Sequence, residues 1–191
     1  PSVTVACFSA VAVASAMPAE GKLGLLSCFG DGRYELSGTV ESSRALSAVE
    51  ASLADILEGA AFSSEKTGDG AIHFFITGQS PRGREVALAA RAQAQARAFF
   101  ARVEYWADLC GIDDISLGEV SALPVDEQRL RWRRRLVGTG SYGQIDALLA
   151  RMATAGETAG LAELILTPVS GAGGRDRAVR LSGAIDVVVH R

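Results

Sequence analysis

The chain has 191 residues, 48% of them hydrophobic and 21% charged, with a formal net charge of −3. That apolar share supports a sizeable core and excludes wholesale disorder, while no run approaches the ~20 continuous apolar residues that would span a bilayer. Three scattered cysteines (Cys7, Cys28, Cys110), no C-x-x-C motif and two isolated histidines, His73 and His190, leave no material for a His-based triad or a His-ligated metal site. The inventory therefore points to no catalytic residue, no metal ligand and no cofactor. A carboxylate acid–base site, a ligand-binding fold and a protein that works by contact remain as function classes.

Charge is divided unevenly along the chain. Residues 1–80 carry 4 Lys/Arg against 9 Asp/Glu, and residues 81–191 carry 15 against 13. The step coincides with the Gly/Ser/Pro/Arg junction Gly78-Gln79-Ser80-Pro81-Arg82-Gly83, which reads as a boundary between domains at 1–80 and 81–191.

In chain order, residues 3–17 (VTVACFSAVAVASAM) read as a buried helix ending at Pro18. The competing reading is a signal-peptide core with Ala14-Ser15-Ala16 at the cleavage site, but it lacks a basic leader. Residues 22–29 and 33–40 are strands across a Gly30-Asp31-Gly32 turn, with Tyr34, Leu36, Gly38 and Val40 on one face. A helix opened by Ser42 or Ser43 carries Leu46, Val49, Leu53, Ile56 and Leu57 at helical spacing and stops at Gly59. Residues 62–66 and 71–77 then form a hairpin across Thr67-Gly68-Asp69-Gly70, with Ile72, Phe74 and Ile76 facing one way.

The second half repeats this order. A long helix is expected over 84–110, stopped by Gly111. Strands follow at 115–123 and 129–139, separated by Pro124-Val125-Asp126-Glu127. Ser141 caps a helix with Ile145, Leu148, Leu149 and Met152 on one face, ending near Gly156. Strands at 161–169 and 178–189 flank a Gly171–Gly174 loop, and Val179, Leu181, Gly183, Ile185, Val187 and Val189 share a face. The halves also align on Ser37-Gly38-Thr39 and Val137-Gly138-Thr139. Strand pairs separated by crossover helices predict an α+β fold of two tandem ferredoxin-like αββαββ domains, the second entered by the long amphipathic helix.

Three motifs bear on function. Gly138, Gly140 and Gly143 satisfy G-x-G-x-x-G after a strand and before a helix, the setting of a dinucleotide fingerprint. The preceding strand, RLRWRRRLV, is half charged, and no acidic residue ends the next strand, so a tight strand-to-helix corner explains the glycines better. Arg129, Arg131, Arg133 and Arg135 fall at period two on one strand face. With the domain nearly neutral and Glu119, Asp126 and Glu127 close in sequence, they read as a solvated face or a protein contact rather than a nucleic-acid patch.

The long helix carries Ala89, Ala92, Ala96, Phe99, Val103, Trp106 and Cys110 at alternating spacings of three and four, a seam of apolar or small residues. Ala89, Ala92, Ala96, Phe99, Val103 and Trp106 are the candidate interface; the alternative is one amphipathic helix packed wholly within the protein. The cysteines sit in apolar settings and read as small hydrophobes, and the carboxylate pairs Asp113-Asp114 and Asp126-Glu127 as solvated turns.

With these elements in place, the chain resembles the periplasmic domains of the type IV pilus alignment proteins PilN and PilO and their type II secretion counterparts GspL and GspM. The first half, LGLLSCFGDGRYELSGTVESSRALSAVEASLADI followed by AIHFFITG, is similar to the PilN type. The second, with VGTGSYGQIDALLARM and LILTPV behind a long helix, is similar to the PilO type. The resemblance implies a non-catalytic component of a bacterial envelope assembly platform that forms homo- or heterodimers with other inner-membrane platform proteins. It implies a periplasmic location, an inner-membrane anchor ahead of residue 1 and no nucleic-acid partner. Family members usually carry one such domain per chain, whereas two are expected here in tandem. A small-molecule-binding regulatory module built on paired ferredoxin-like domains is the alternative from a different class.

Overall fold

The computed structural model describes residues 7–19, 21–57, 59–80, 88–154, 159–169 and 178–191. Helix α1 (Ala10–Ala16) is opened by Ser9, whose hydroxyl accepts the Ala12 N–H at 3.2 Å, and it ends ahead of Pro18. Strands β1 (Gly21–Phe29) and β2 (Arg33–Val40) form an antiparallel hairpin. Helix α2 (Ser43–Ala54) is capped by Ser42, which accepts the Ala45 N–H at 3.1 Å, and it buries Ala45, Val49 and Leu53. Strands β3 (Ala61–Lys66) and β4 (Ile72–Gln79) form the second hairpin.

Helix α3 (Gln93–Leu109) then leads to β5 (Asp113–Leu117), β6 (Ser121–Pro124) and β7 (Arg129–Ser141). Helix α4 (Tyr142–Thr154), β8 (Ala159–Pro168) and β9 (Ala178–His190) complete the described elements. The Gly156 helix stop and the Gly171–Gly174 loop lie outside the described residues, as do the first residues of the N-terminal segment.

The strands make one antiparallel sheet in the order β3-β4-β2-β1-β8-β9-β7-β5, with β6 also paired to β7. Helix α2 lies over β2 and β4, α3 over β5 and β9, α4 over β7 and β9, and α1 against α2 and α4. A buried row beneath them runs from β4 to β9 through register partners, Ile76 to Leu36 to Leu26 to Leu166 to Leu181. These side chains join a single core. Alternating burial along β2, β4 and the first part of β9 follows from the period-two geometry of strands, each placing one face under helices, whereas Ile185 to Val189 of β9 are buried on both faces.

This architecture corrects the expectation of two tandem ferredoxin-like domains. The strand order of the first half, β3-β4-β2-β1, recurs as β8-β9-β7-β5, which is the repeat seen in the sequence. The halves share one sheet, however, because β1 pairs antiparallel with β8 from Leu26↔Leu166 to Phe29↔Glu163. Separate domains would leave the N–H and C=O groups of β1 unpaired along an edge; the junction satisfies them and extends the core.

Helix α1 also crosses the divide. Asp146 on α4 accepts the Ser9 hydroxyl at 2.6 Å and the N–H groups of Ala10 and Val11 at 3.0 and 3.1 Å. A carboxylate there meets both the free N–H groups and the positive end of the helix dipole.

Two further expectations change. The long helix does not begin before Gln93: residues 88–92 are non-helical, because Arg91 donates its N–H to the Val188 carbonyl (3.1 Å) and accepts that of His190 (3.0 Å). Those bonds extend β9 and compete with the helix, leaving about 25 Å of helix at ~1.5 Å per residue. The strand expected over 115–123 is broken into β5 and β6, which lie successively along β7. Arg134 fills the break, donating to the carbonyls of Leu117 (2.8 Å) and Gly118 (2.6 Å).

Candidate interaction surface

The candidate interface residues do not lie together on an open surface. Ala89 is in the non-helical segment before α3, and Ala92 is the exposed residue that precedes its first turn. Ala96, Phe99 and Val103 are fully buried in the chain's own core, beside Phe100 and Ala107. Trp106 is half-buried, edge-on to Phe99 with ring centres 6.3 Å apart and with the Arg102 guanidinium over its other side. The stripe reads as a helix packing inside this protein, with Tyr105 and Leu109 on the outward side.

The face of the sheet opposite the helices holds the arginines. On β7, Arg131, Arg133 and Arg135 pair across to Val188, Asp186 and Ala184 on β9. Arg133 grips the Asp186 carboxylate with two hydrogen bonds of 2.7 and 2.8 Å, and Arg131 approaches the same carboxylate at 3.9 Å. This pairing holds the Arg133 guanidinium above its ordinary pKa. Arg129 binds Asp126 at 2.6 Å, and that side-chain bond depresses the Asp126 carboxyl.

Asp126 was legible as a neighbour in sequence; Asp186 was not, although a lone carboxylate within the apolar strand GAIDVVVH is the kind of signal that asks for a buried cation. The remaining alternate residue, Arg134, points the other way, its guanidinium 5.4 Å over the Phe100 ring.

Across the middle of this face run residues in register, half-buried or exposed except for the buried Ser27. Phe75, Ser37 and Leu25 form one row on β4, β2 and β1. Ser27, Ile165, Ser182 and Val137 form the next on β1, β8, β9 and β7. Phe75 is 45% exposed. Leu88 approaches this face beside Gly160 at its rim.

The glycine-rich corner is built for packing. Gly138 lies on the core face of β7, where an added Cβ would come within 2.9 Å of Ile112. Its counterpart Gly38 lies under the Phe74 ring and against the Lys22 carbonyl, leaving no room for a side chain. Ser141 and Gln144 close a reciprocal cap on α4: Ser141 N–H to Gln144 Oε1 at 2.6 Å, and Gln144 N–H to Ser141 Oγ at 3.3 Å. Gln144 also donates to the carbonyl of Gly111, whose φ of +71° takes the chain out of α3.

Cys7 and Cys28 are joined in a disulfide that ties the segment before α1 to β1, correcting their reading as small hydrophobes; Cys110 is a free thiol. No family model matches this chain, and no curated protein or solved structure does. Among the described residues no helix is long and apolar enough to cross a membrane.

Proposed function

We propose that this chain is a non-catalytic structural component of a bacterial envelope assembly platform, of the type II secretion or type IV pilus kind. It works in the periplasm through homo- or heterodimerisation and connects to the inner membrane through an anchor outside this sequence. The observation that carries the reading is the Cys7–Cys28 disulfide. Such bonds persist in oxidising compartments, the bacterial periplasm among them, and are rare in the reducing cytosol. The resemblance of the strand-pair and corner motifs to PilN-type and PilO-type domains suggests the platform, and the sheet face opposite the described helices supplies a surface for contact.

The test is made in the native cell. Alkylation of the chain recovered from fractionated cells is expected to find one free thiol, Cys110, in the envelope fraction. Disruption of the gene is expected to abolish pilus assembly or type II secretion. Recovery of the chain from the cytosol with three free thiols, or intact assembly and secretion without it, overturns the reading.

A further inference from the structure

We propose that Arg134 guards the free β5–β6 edge of the sheet against the free β3 edge of a second copy of this chain. It is an autoinhibitory contact: without it, the pairing that joins the two halves inside one molecule continues from molecule to molecule. This contact lies at a sheet edge and does not depend on the compartment in which the chain acts.

The two free edges are repeat counterparts of the two strands that already pair. Leu26 of β1 lies opposite Leu36, and Leu117 of β5 lies opposite Leu136, each two residues before the matched Gly38 or Gly138. Leu166 of β8 lies opposite Leu181 and, beyond it, Gly138; Ser64 of β3 lies opposite Phe74 and, beyond it, Gly38. Leu117 and Ser64 are therefore the counterparts of Leu26 and Leu166, the first pair of the β1–β8 junction. The next pair, Ser27 with Ile165, has its counterpart in Gly118 and Ser63. The halves thus lie head to tail along the sheet, so the contact between them can recur between copies. The β3 side is open to it. Strand β3 pairs with β4 without a break from Ala61 to Lys66 and carries no proline. Among the described residues no strand pairs with its other side.

The β5–β6 side is closed at the matching point. The Gly118 N–H points inward and donates to the Arg135 carbonyl at 2.8 Å. Across a trans peptide the Leu117 carbonyl then points outward, where a neighbouring strand would donate to it. Arg134 takes that acceptor at 2.8 Å and the Gly118 carbonyl at 2.6 Å. Between the pairs Leu117↔Leu136 and Ser121↔Arg133, residues 118–120 face only Arg134 and Arg135, so the edge bulges. Pro124 removes a further donor from β6. Bulges, prolines and inward-pointing charges are the devices that keep sheet edges from pairing. In the first half the position of Arg134 is held by Tyr34, buried edge-on to Phe8 and opposite Cys28. There β1 runs on to Phe29 in unbroken pairing with β8.

The experiment is sedimentation velocity of the oxidised chain over a dilution series, native against Arg134→Met. Methionine keeps an apolar stem over Phe100 and removes the donors. The native chain is expected to form no open-ended series. Arg134→Met is expected to build dimers, trimers and longer species, with association at least about tenfold tighter than in the native chain. Cross-linking reads the register. In a Cys110→Ser background, Ser63→Cys with Gly118→Cys is expected to link copies only when Arg134 is replaced. Cross-strand neighbours about 4.5–5.5 Å apart are within disulfide reach, and a Cβ at Gly118 meets nothing closer than 3.6 Å. The two positions lie at opposite ends of the sheet, so the bond cannot form within one molecule. Arg134→Tyr, which installs the residue of the other half, is run beside Arg134→Met, with thermal melts by circular dichroism to check folding.

A folded Arg134→Met or Arg134→Tyr chain that associates no more than the native one overturns the proposal. So do oligomers that fail to cross-link through Ser63→Cys and Gly118→Cys, or a native chain that already builds the series. If neither variant folds, Arg134 holds the core and not the edge, and the proposal falls as well.

Discussion

Residues 21–79 and 113–190 lay down strands in the same order, yet different chemistry holds each set in place. The first half is fastened covalently, by Cys7–Cys28 between β1 and the segment before α1, with Phe8 edge-on to Tyr34 at 6.0 Å. The second uses the buried aromatic cluster of Phe99 and Phe100 on helix α3, with Trp106 edge-on to Phe99, and the bidentate Arg133–Asp186 pair on the opposite face. Gly38 and Gly138 hold matched positions for different local reasons, one making room for an aromatic ring and the other for Ile112. A repeated strand path thus constrains where close approaches fall, while the residues that make them are free to differ.

The sharpest way to break the comparison is to ask whether damage in one half is felt in the other. Phe99→Ala empties a fully buried site and is expected to cost about 3–5 kcal/mol, measured by urea unfolding. Because β1 and β8 share hydrogen bonds, amide exchange should quicken in β2 as well as in β9; acceleration confined to β9 would show that the halves unfold separately. Cys28→Ser opens a cross-link spanning 21 positions and is expected to cost about 3 kcal/mol by loop-closure entropy. Reductant should destabilise the native chain by a similar amount and leave the Ser variant unmoved.

Asp186→Asn comes next. It removes the charge that Arg133 grips, but the arginine side chain stays 40% exposed, so solvent limits the loss to about 1–2 kcal/mol. A loss as large as that of Phe99→Ala would mean the ion pair, and not the aromatic cluster, organises the second half.

The smallest effect is in acid. Asp126 titrates below its ordinary 3.8 because the Arg129 side chain donates to its carboxylate. A depressed carboxyl adds stability above its unfolded pKa and loses it as pH falls through the folded one. A slight extra loss below about pH 4 should therefore vanish in Asp126→Asn, compared by acid unfolding curves.

Much of the path was legible because local signals were strong. Ser42 and Ser141 announced helix starts, and Gly111 a helix stop. Alternation in Tyr34–Leu36–Val40 and Val179–Leu181–Ile185 gave the buried strand faces. What escaped depends on contacts between distant residues. The pairing of β1 with β8 uses backbone groups that any sequence carries, so nothing in Leu26 or Leu166 declares it. The start of α3 was misplaced because Ala-rich residues favour helix, while Arg91 is claimed by the end of β9. The seam of Ala96, Phe99 and Val103 was visible as a stripe, but periodicity alone does not tell a core from an interface, and here it is core. The disulfide was missed because spacing does not encode pairing.

The β1–β8 junction also bears on how the chain comes to exist. As a nascent polypeptide it completes the first hairpins early, but the outer edge of β1 has no neighbour until the chain has reached Leu166. Asp146 likewise arrives late to hold the start of α1. Through most of synthesis the growing protein presents a ready template for edge-to-edge aggregation. Such a chain gains from being kept unfolded by a chaperone until its last strands are made.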